Sequence, residues 1–134
     1  MGLDMYAYCG QKGQHDEYWQ NYDFSKDTST VDKPRELAYW RKHPNLHGWM
    51  EQLWRRKNTD PSVDPQFNGI ELELTWEDLD ELEQVIKNKE LPSTRGFFFG
   101  DDADNHYYQQ DLEFIKQARA ELFLGIRVFY NSSW

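Results

Sequence analysis

Two stretches of the chain alternate apolar and polar residues, a pattern typical of strands with one buried face. The first covers residues 3–9, with Leu3, Met5 and Ala7 on the side expected to be buried. The second is the sequence IELELT, which starts at Ile70. The apolar run IRVFY near the end of the chain predicts the last strand. Together these segments predict a small sheet.

Apolar residues spaced three and four positions apart predict three helices. The first begins near Pro34, because proline is favoured in a first helical turn. Pro44 interrupts it, since proline removes a hydrogen bond and disfavours helical dihedral angles in the residue before it. We therefore expect a kink or two helical pieces, around 35–42 and 45–57. Their apolar stripe is Leu37, Trp40, Leu46, Trp49 or Met50, and Leu53.

The second helix is predicted to begin after Thr75, because Asp78 stands where a capping box has its acidic residue. Its buried stripe is Leu79, Leu82, Val85 and Ile86. The third helix is capped by Asp104 or Asn105 and stops at Gly125. Its expected buried stripe is Leu112, Ile115, Leu122 and Phe123, with Tyr108 as a further member.

The remaining segments complete the expected fold. Residues 10–33 have no sustained period and predict a long loop, with one short element around 18–24 and more motion than the rest of the chain. The glycine-bracketed sequence GFFFG at 96–100 predicts a short buried strand. We therefore predict one α+β domain over residues 1–134, in which about three helices pack on one face of a small, mostly antiparallel sheet.

Charge is distributed unevenly along the chain. The formal net charge is −9, yet the segment 33–57 contains seven basic and two acidic residues, a balance of +5. The rest of the chain therefore carries −14, and this field disfavours direct binding of nucleic acid. Two interpretations remain for the basic segment. It holds a local anion, or it packs beside the acidic segments and neutralises them.

Cysteine content and hydrophobic runs predict the cellular compartment and whether the chain enters a membrane. Cys9 is the single cysteine, which excludes an internal disulfide and suits a reducing compartment. No run of apolar residues approaches the roughly 18 needed for a membrane span, and the N-terminus does not read as a signal peptide. We therefore expect a cytoplasmic protein without a membrane partner.

Catalytic and metal-binding residue types occur without the spacing that such sites need. His43 and His47 lie four residues apart, but Pro44 weakens the helical geometry and no third ligand is nearby. The simpler interpretation is an exposed His43 and a His47 hydrogen-bonded against the core. No glycine-rich phosphate loop and no G-x-S-x-G motif is present. The sequence thus predicts no metal and no cofactor, and it favours binding over catalysis.

A cluster of aromatic and cationic residues remains as the candidate binding site. Arginine matches carboxylate or phosphate groups, and Trp or Tyr rings stack on a partner's side chains. The alternative is that the tryptophans belong to the core and the basic residues form a solvated edge. The cluster consists of Tyr39, Trp40, Arg41, Lys42, His47 and Trp49.

Five motifs follow one another along the whole chain: MGLDMY, YWRK followed by His-x-Trp, LP, GFFFG and a final Tyr-x-Ser-Ser-Trp. In these motifs the chain resembles a family of small, uncharacterised proteins of bacteriophages and bacteria. The departure from the family pattern is at His43 and Pro44. The resemblance implies a phage or prophage origin, and it adds Ser132, Ser133 and Trp134 to the candidate site by analogy.

Three functions follow from this interpretation. The leading hypothesis is a non-enzymatic phage-type accessory protein that binds a host or viral macromolecule, as an inhibitor or an acidic polyanion mimic. The second is a binder of a phosphorylated small molecule or nucleotide, held by Arg41, Lys42, His47 and Trp49. The third is an enzyme that uses His47 with a carboxylate. A protein partner is expected under the first hypothesis and a phosphorylated ligand under the second.

Overall fold

A computed structural model describes residues 3–57, 67, 69–92 and 103–133 of the chain. The predicted α+β class is confirmed, with four strands in one antiparallel sheet and a separate two-stranded hairpin. The predicted strand at 96–100 lies outside the described residues. In chain order the elements are β1 (Asp4–Gly10), α1 (Gln14–Gln20), β2 (Tyr22–Asp23), β3 (Thr28–Ser29), β4 (Arg35–Arg41), α2 (Pro44–Lys57), β5 (Leu72–Leu74), α3 (Trp76–Lys87), α4 (Ala103–Phe123) and β6 (Arg127–Ser133).

The main sheet has the strand order β4-β1-β6-β5, and every pairing in it is antiparallel. Met5 lies opposite Trp40 on one side and Ser132 on the other, so these side chains share one face. This face forms the core together with apolar residues of α2, α3 and α4, so three helices lie on one side of the sheet, as predicted. A fourth helix, α1, was not predicted and lies over the opposite face. Tyr6 and Tyr8 point to the opposite face, which we call the open face.

Residues 35–41 form strand β4, so the predicted first helical piece is wrong. The pairing with β1 shifts its register between Ala38 and Glu36, which leaves Leu37 as an extra residue in a β-bulge. Because of this bulge, both Leu37 and Trp40 pack against the core. Their three-residue separation therefore imitates helical periodicity although the backbone is extended.

Pro44 begins helix α2 and does not kink a longer one. Proline suits this position because the first N–H groups of a helix have no partner within it. The carbonyl oxygen of His43 accepts the first helical bond from the N–H of His47, at 3.1 Å. Lys42, with φ of 63°, turns the chain between strand and helix. The aromatic stretch 39–50 is thus a strand, a tight turn and a helix.

The second predicted helix is confirmed as α3. The side chain of Thr75 accepts a bond from the N–H of Asp78 at 3.2 Å, and the Asp78 carboxylate accepts from the N–H of Thr75 at 2.9 Å. This is the predicted capping box. Leu79 and Leu82 are fully buried on the face that the pattern indicated.

Helix α4 ends at the predicted place, but its buried face differs from the predicted stripe. Gly125 adopts φ of 82° and donates to the carbonyl of Leu122, while Ile126 donates to that of Glu121, which completes a Schellman motif. Phe123, expected to be buried, is 83% exposed at the last helical position. The pattern was wrong because two polar residues belong to the buried face. That face consists of Asp111, Phe114, Ile115, Ala118 and Glu121.

The segment 10–33 contains helix α1 and the β2–β3 hairpin, more regular structure than the single short element expected. No residue of α1 is buried, so the helix has no apolar stripe that a sequence pattern could reveal. The hydroxyl of Ser29 donates to the carbonyl of Tyr18 at 2.7 Å, which links hairpin and helix.

Removing the capping box should weaken the domain measurably. Thr75→Ala deletes the acceptor of the Asp78 N–H, and we expect the free energy of unfolding to fall by about 1 kcal/mol. Urea unfolding followed by circular dichroism measures this difference. Thr75→Ser keeps a hydroxyl acceptor and should stay close to the unsubstituted chain; an equal loss in both variants would show that the cap is not responsible.

Candidate functional site

The structure divides the predicted binding cluster between the core and the surface. Trp40 and Ser132 are fully buried, and His47 and Trp49 are nearly so. These four side chains face the helix-covered side of the sheet or lie within α2 itself. They do not form one solvent-facing wall with Tyr39 and Arg41.

Trp40 belongs to a buried polar group centred on Asp111. The indole N–H of Trp40 donates to one carboxylate oxygen of Asp111 at 2.8 Å, and Nε2 of His43 lies 2.9 Å from the other. The ring of Tyr107 stacks on His43 with centroids 4.9 Å apart. His43 was expected to be exposed, and this expectation is wrong, because the bulged strand and the turn direct its side chain towards α4.

His47 is hydrogen-bonded against the core, as the simpler interpretation of the sequence predicted. Its Nδ1 lies 2.7 Å from the hydroxyl of Tyr130, and its ring stacks on Phe67 with centroids 5.4 Å apart. Burial lowers the pKa of His47 from 6.5 to about 4, and the charge of Glu51 opposes this shift. The imidazole is therefore neutral near pH 7.

Tyr39 and Arg41 lie at the surface, where Asp4 holds both. The Tyr39 hydroxyl donates to Asp4 at 2.6 Å, and Nη1 of Arg41 lies 3.3 Å from the same oxygen. Lys42 is half-buried in the turn before α2, and Ser133 is exposed at the end of β6. Trp134 lies outside the described residues.

Most of the basic segment is paired with acidic side chains. Five of its seven basic residues form ion pairs, three of them with acids of α3 or α4. This agrees with the interpretation that the segment neutralises neighbouring acids, and it leaves no broad cationic surface there. The pairs are Arg35–Glu121, Arg41–Asp4, Arg55–Glu51, Arg56–Glu81 and Lys57–Asp78.

A different surface has the features of a binding site, namely the open face of the sheet beside α1. His15 of α1 stacks on Tyr8 with centroids 4.9 Å apart and lies 5.6 Å from the ring of Tyr6. The N–H of Gly13 donates to Glu71 at 3.1 Å, which fixes the start of α1 against the sheet. Burial lowers the pKa of His15 below its usual value, which favours the neutral ring.

Tyr8 is the rigid floor of this region. Its hydroxyl donates to Glu71 at 2.8 Å and accepts from the side-chain amide of Asn131 at 3.4 Å. Burial raises the pKa of Tyr8 well above its usual value. The residue is 3% exposed, and its ring centroid lies 5.8 Å from that of Phe129 on the neighbouring strand. The two bonds of its hydroxyl and the stacked ring of His15 together fix the Tyr8 side chain in place.

Between α1 and the start of β4 lies a concave site of about 360 Å³, which we call the aromatic groove. Its size falls at the lower end of the range for ligand sites. Trp19 and Tyr39 are each 46% exposed, so they present ring faces to solvent. The lining consists of five rings (Tyr6, Tyr8, His15, Trp19 and Tyr39) together with Lys33, Pro34 and Glu36.

Lys33 and Glu36 are the charged residues of the lining, and neither forms an ion pair with another residue of the described part. Of all the groove residues, only Tyr39 belonged to the binding cluster predicted from the sequence. The bulge at Leu37 places Glu36 opposite Tyr8, and no sequence period predicts that position. The signal that was available is the density of aromatic residues in EYWQNYDF, which is high for a loop.

Comparisons with known proteins give a limited similarity. No protein-family model and no solved structure matches the chain. Its sequence is similar to Autophagy-related protein 30 of Komagataella phaffii and of Komagataella pastoris. Each match is 28% identical over 107 residues and covers 76% of this chain. The chain spans 27% of the length of these curated relatives.

These relatives correct the functional prediction. Both are yeast proteins, so the predicted bacteriophage accessory protein, with its inhibitor or polyanion-mimic role in a host, is wrong. No finding supports the predicted phosphorylated ligand either. The resemblance in the five motifs stays a prediction, because no family model tests it.

Two further findings concern membranes and metals. Within the described ranges, no helix combines the length and the apolar character that crossing a membrane requires. Among the same residues, no three His, Cys, Asp or Glu side chains are grouped so that they could hold a metal ion.

The buried carboxylate of Asp111 should be essential for stability. Asp111→Ala leaves the indole N–H of Trp40 without its acceptor inside the core, and we expect a loss of about 3 kcal/mol in the free energy of unfolding. Chemical denaturation measures it. Glu113→Ala, at an exposed position of the same helix, is the matched control and should change stability little. A similar small effect of both substitutions would contradict the role given to Asp111.

His47 should make stability depend on pH in a known direction. The folded pKa of about 4 lies below the ordinary 6.5, so the unfolded chain binds the proton first as pH falls. The contribution of His47 to the free energy of unfolding is fully present above pH 6.5 and is lost as the pH falls towards 4. At pH 5 the loss from this group alone should be roughly 2 kcal/mol. The free energy of unfolding, measured across this pH range, should vary less with pH in His47→Gln. His106→Gln, at an exposed histidine, should keep the full pH dependence.

Proposed function

We propose that this chain is a protein-interaction domain and that the aromatic groove binds a segment of another protein. The observation that carries the proposal is the pair of half-exposed rings, Trp19 and Tyr39, above the rigid floor of Tyr8. Exposed Trp and Tyr side chains are enriched among the residues that dominate binding energy. A fixed floor also reduces the entropy that binding would otherwise cost.

The electrostatic character of the chain supports a protein partner. A net charge of −9 repels nucleic acid, and the basic residues near the groove are few. The similarity to Autophagy-related protein 30 supports an autophagy-related role, and we include this in the proposal. We also propose a cytoplasmic location, since the buried Cys9 is a free thiol.

A selection from a random peptide library on the purified chain tests the proposal. We expect sequence-selective peptides whose binding falls about tenfold in Trp19→Ala and in Tyr39→Ala, the size of effect typical of a dominant interface residue. Trp76→Ala is the matched control, because Trp76 is 43% exposed and follows β5 at the other edge of the sheet. The site would be refuted by peptides whose affinity is unchanged in both groove variants, or whose affinity falls equally in the control variant.

A further inference from the structure

We propose that residues 14–31 form a lid on the aromatic groove and that this lid opens when His15 binds a proton. The lid comprises α1 and the β2–β3 hairpin, and it contributes His15 and Trp19 to the lining of the groove. The opening itself needs no partner. Its consequence for binding rests on the proposed function, because opening removes one wall of the groove.

The lid is held together by its own contacts and contributes no residue to the hydrophobic core. No residue of α1 is buried, and β2 and β3 pair with each other and not with the main sheet. The ring centroid of Tyr22 lies 5.1 Å from that of Trp19 and 4.7 Å from that of Phe24. The bond from Ser29 to Tyr18 joins the hairpin to the helix. A segment built in this way can move as one body while the core stays packed.

Both ends of the lid meet at one hinge. The side-chain amide of Gln14 donates to the carbonyl of Asp32 at 2.8 Å, so the chain enters and leaves the lid at neighbouring points. The bond from the N–H of Gly13 to Glu71 holds this hinge to the sheet. Gly13 has φ of 80°, a conformation that glycine adopts without strain. Hinges of moving segments consist of a few residues of this kind at the end of an element.

His15 makes the contact that keeps the lid closed. Its ring lies 4.9 Å from the ring of Tyr8 and 5.6 Å from that of Tyr6, measured between centroids. Among the described residues, no hydrogen bond or ion pair joins residues 14–31 to a strand of the main sheet. The closed position therefore depends on one imidazole ring stacked against two tyrosines.

The surroundings of this ring include both signs of charge. Two tyrosines lie under it, a cation and two further groups lie along the start of β4, and two carboxylates are close enough to act on it. These groups are Tyr6 and Tyr8 of β1, Lys33 before β4, Glu36 and Tyr39 of β4, Asp16 of α1 and Glu71 before β5.

Burial decides which form of His15 the closed lid prefers. It lowers the pKa of the ring; Asp16 and Glu71 oppose this shift, Lys33 adds to it, and the pKa stays below the ordinary 6.5. In the open lid the ring lies in water, so the open lid binds the proton first as the pH falls. The contribution of His15 to closure is therefore fully present above pH 6.5 and is lost below it. Each pKa unit between the two states changes the ratio of open to closed lids about tenfold.

Nuclear magnetic resonance on the chain without a partner tests the lid. We expect a nuclear Overhauser effect between the rings of His15 and Tyr8 at about pH 7.5, and its loss at about pH 5 with a shift of the Trp19 indole signal. His15→Phe keeps an uncharged ring on Tyr8, so the ring contact should persist at both pH values. His106→Gln, at an exposed histidine of α4, is the matched control and should keep the full response.

The charge of Lys33 offers a second test. Lys33→Gln removes a cause of the lowered pKa in the closed lid, so the titration midpoint of His15 should move to higher pH and fewer lids should be open at about pH 5. Lys26→Gln, at an exposed position of the hairpin, is the control and should leave the midpoint unchanged. Circular dichroism and unfolding curves establish that each variant is folded.

Two results would overturn the lid. Persistence of the contact between His15 and Tyr8 at the acidic pH would mean that the attraction of the tyrosine faces for an imidazolium outweighs the cost of burying it. Loss of the ring contact in His15→Phe at the same pH would assign the response to another group. A lid that stays closed leaves the peptide selection and the interaction domain intact, whereas a failed selection at neutral pH refutes the binding site and not the lid.

Discussion

Strand β1 is the element on which the rest of this structure depends, because it hydrogen-bonds to β4 on one edge and to β6 on the other. Its alternation then serves two purposes. Met5 and Ala7 enter the core beneath the helices, and Tyr6 and Tyr8 support the open face. A shift of one residue in its register would exchange these two sets, turning the tyrosines towards the helices and Met5 and Ala7 towards the open face. Core packing and groove are thus tied to one pairing.

Charged side chains are arranged to cancel locally in a molecule that is strongly acidic overall. Arg119 of α4 bridges Asp80 and Glu83 of α3, and Arg56 and Lys57 at the end of α2 pair with acids of α3. Exposed pairs of this kind contribute little each, but they determine which surfaces stay charged. Around the aromatic groove the cancellation is incomplete, since Glu36 and Lys33 have no ion pair in the described part of the chain.

The similarity to Autophagy-related protein 30 and the geometry of the groove bear on function in different ways. The similarity covers 27% of the length of each yeast protein and supports only the autophagy-related part of our proposal, whereas the groove supports the part that concerns recognition. Half-exposed rings above a hydrogen-bonded tyrosine favour an interaction with a peptide segment. Neither depends on the buried histidines, whose rings are hydrogen-bonded within the core.

The sequence by itself determined the features whose signals lie in residues close to one another along the chain. The alternation of β1, the capping box at Thr75 and the glycine stop at Gly125 are local, and all three are present. The tertiary structure alone decided β4, since a bulge gave an extended strand the three-residue spacing of a helix. It likewise decided that Asp111 is buried and that α1 covers the open face. Both outcomes depend on residues that are far apart in the chain. Asp111 bonds to Trp40, which lies 71 positions before it, and Glu71 bonds to Gly13, which lies 58 positions before it, and no local pattern contains such pairs.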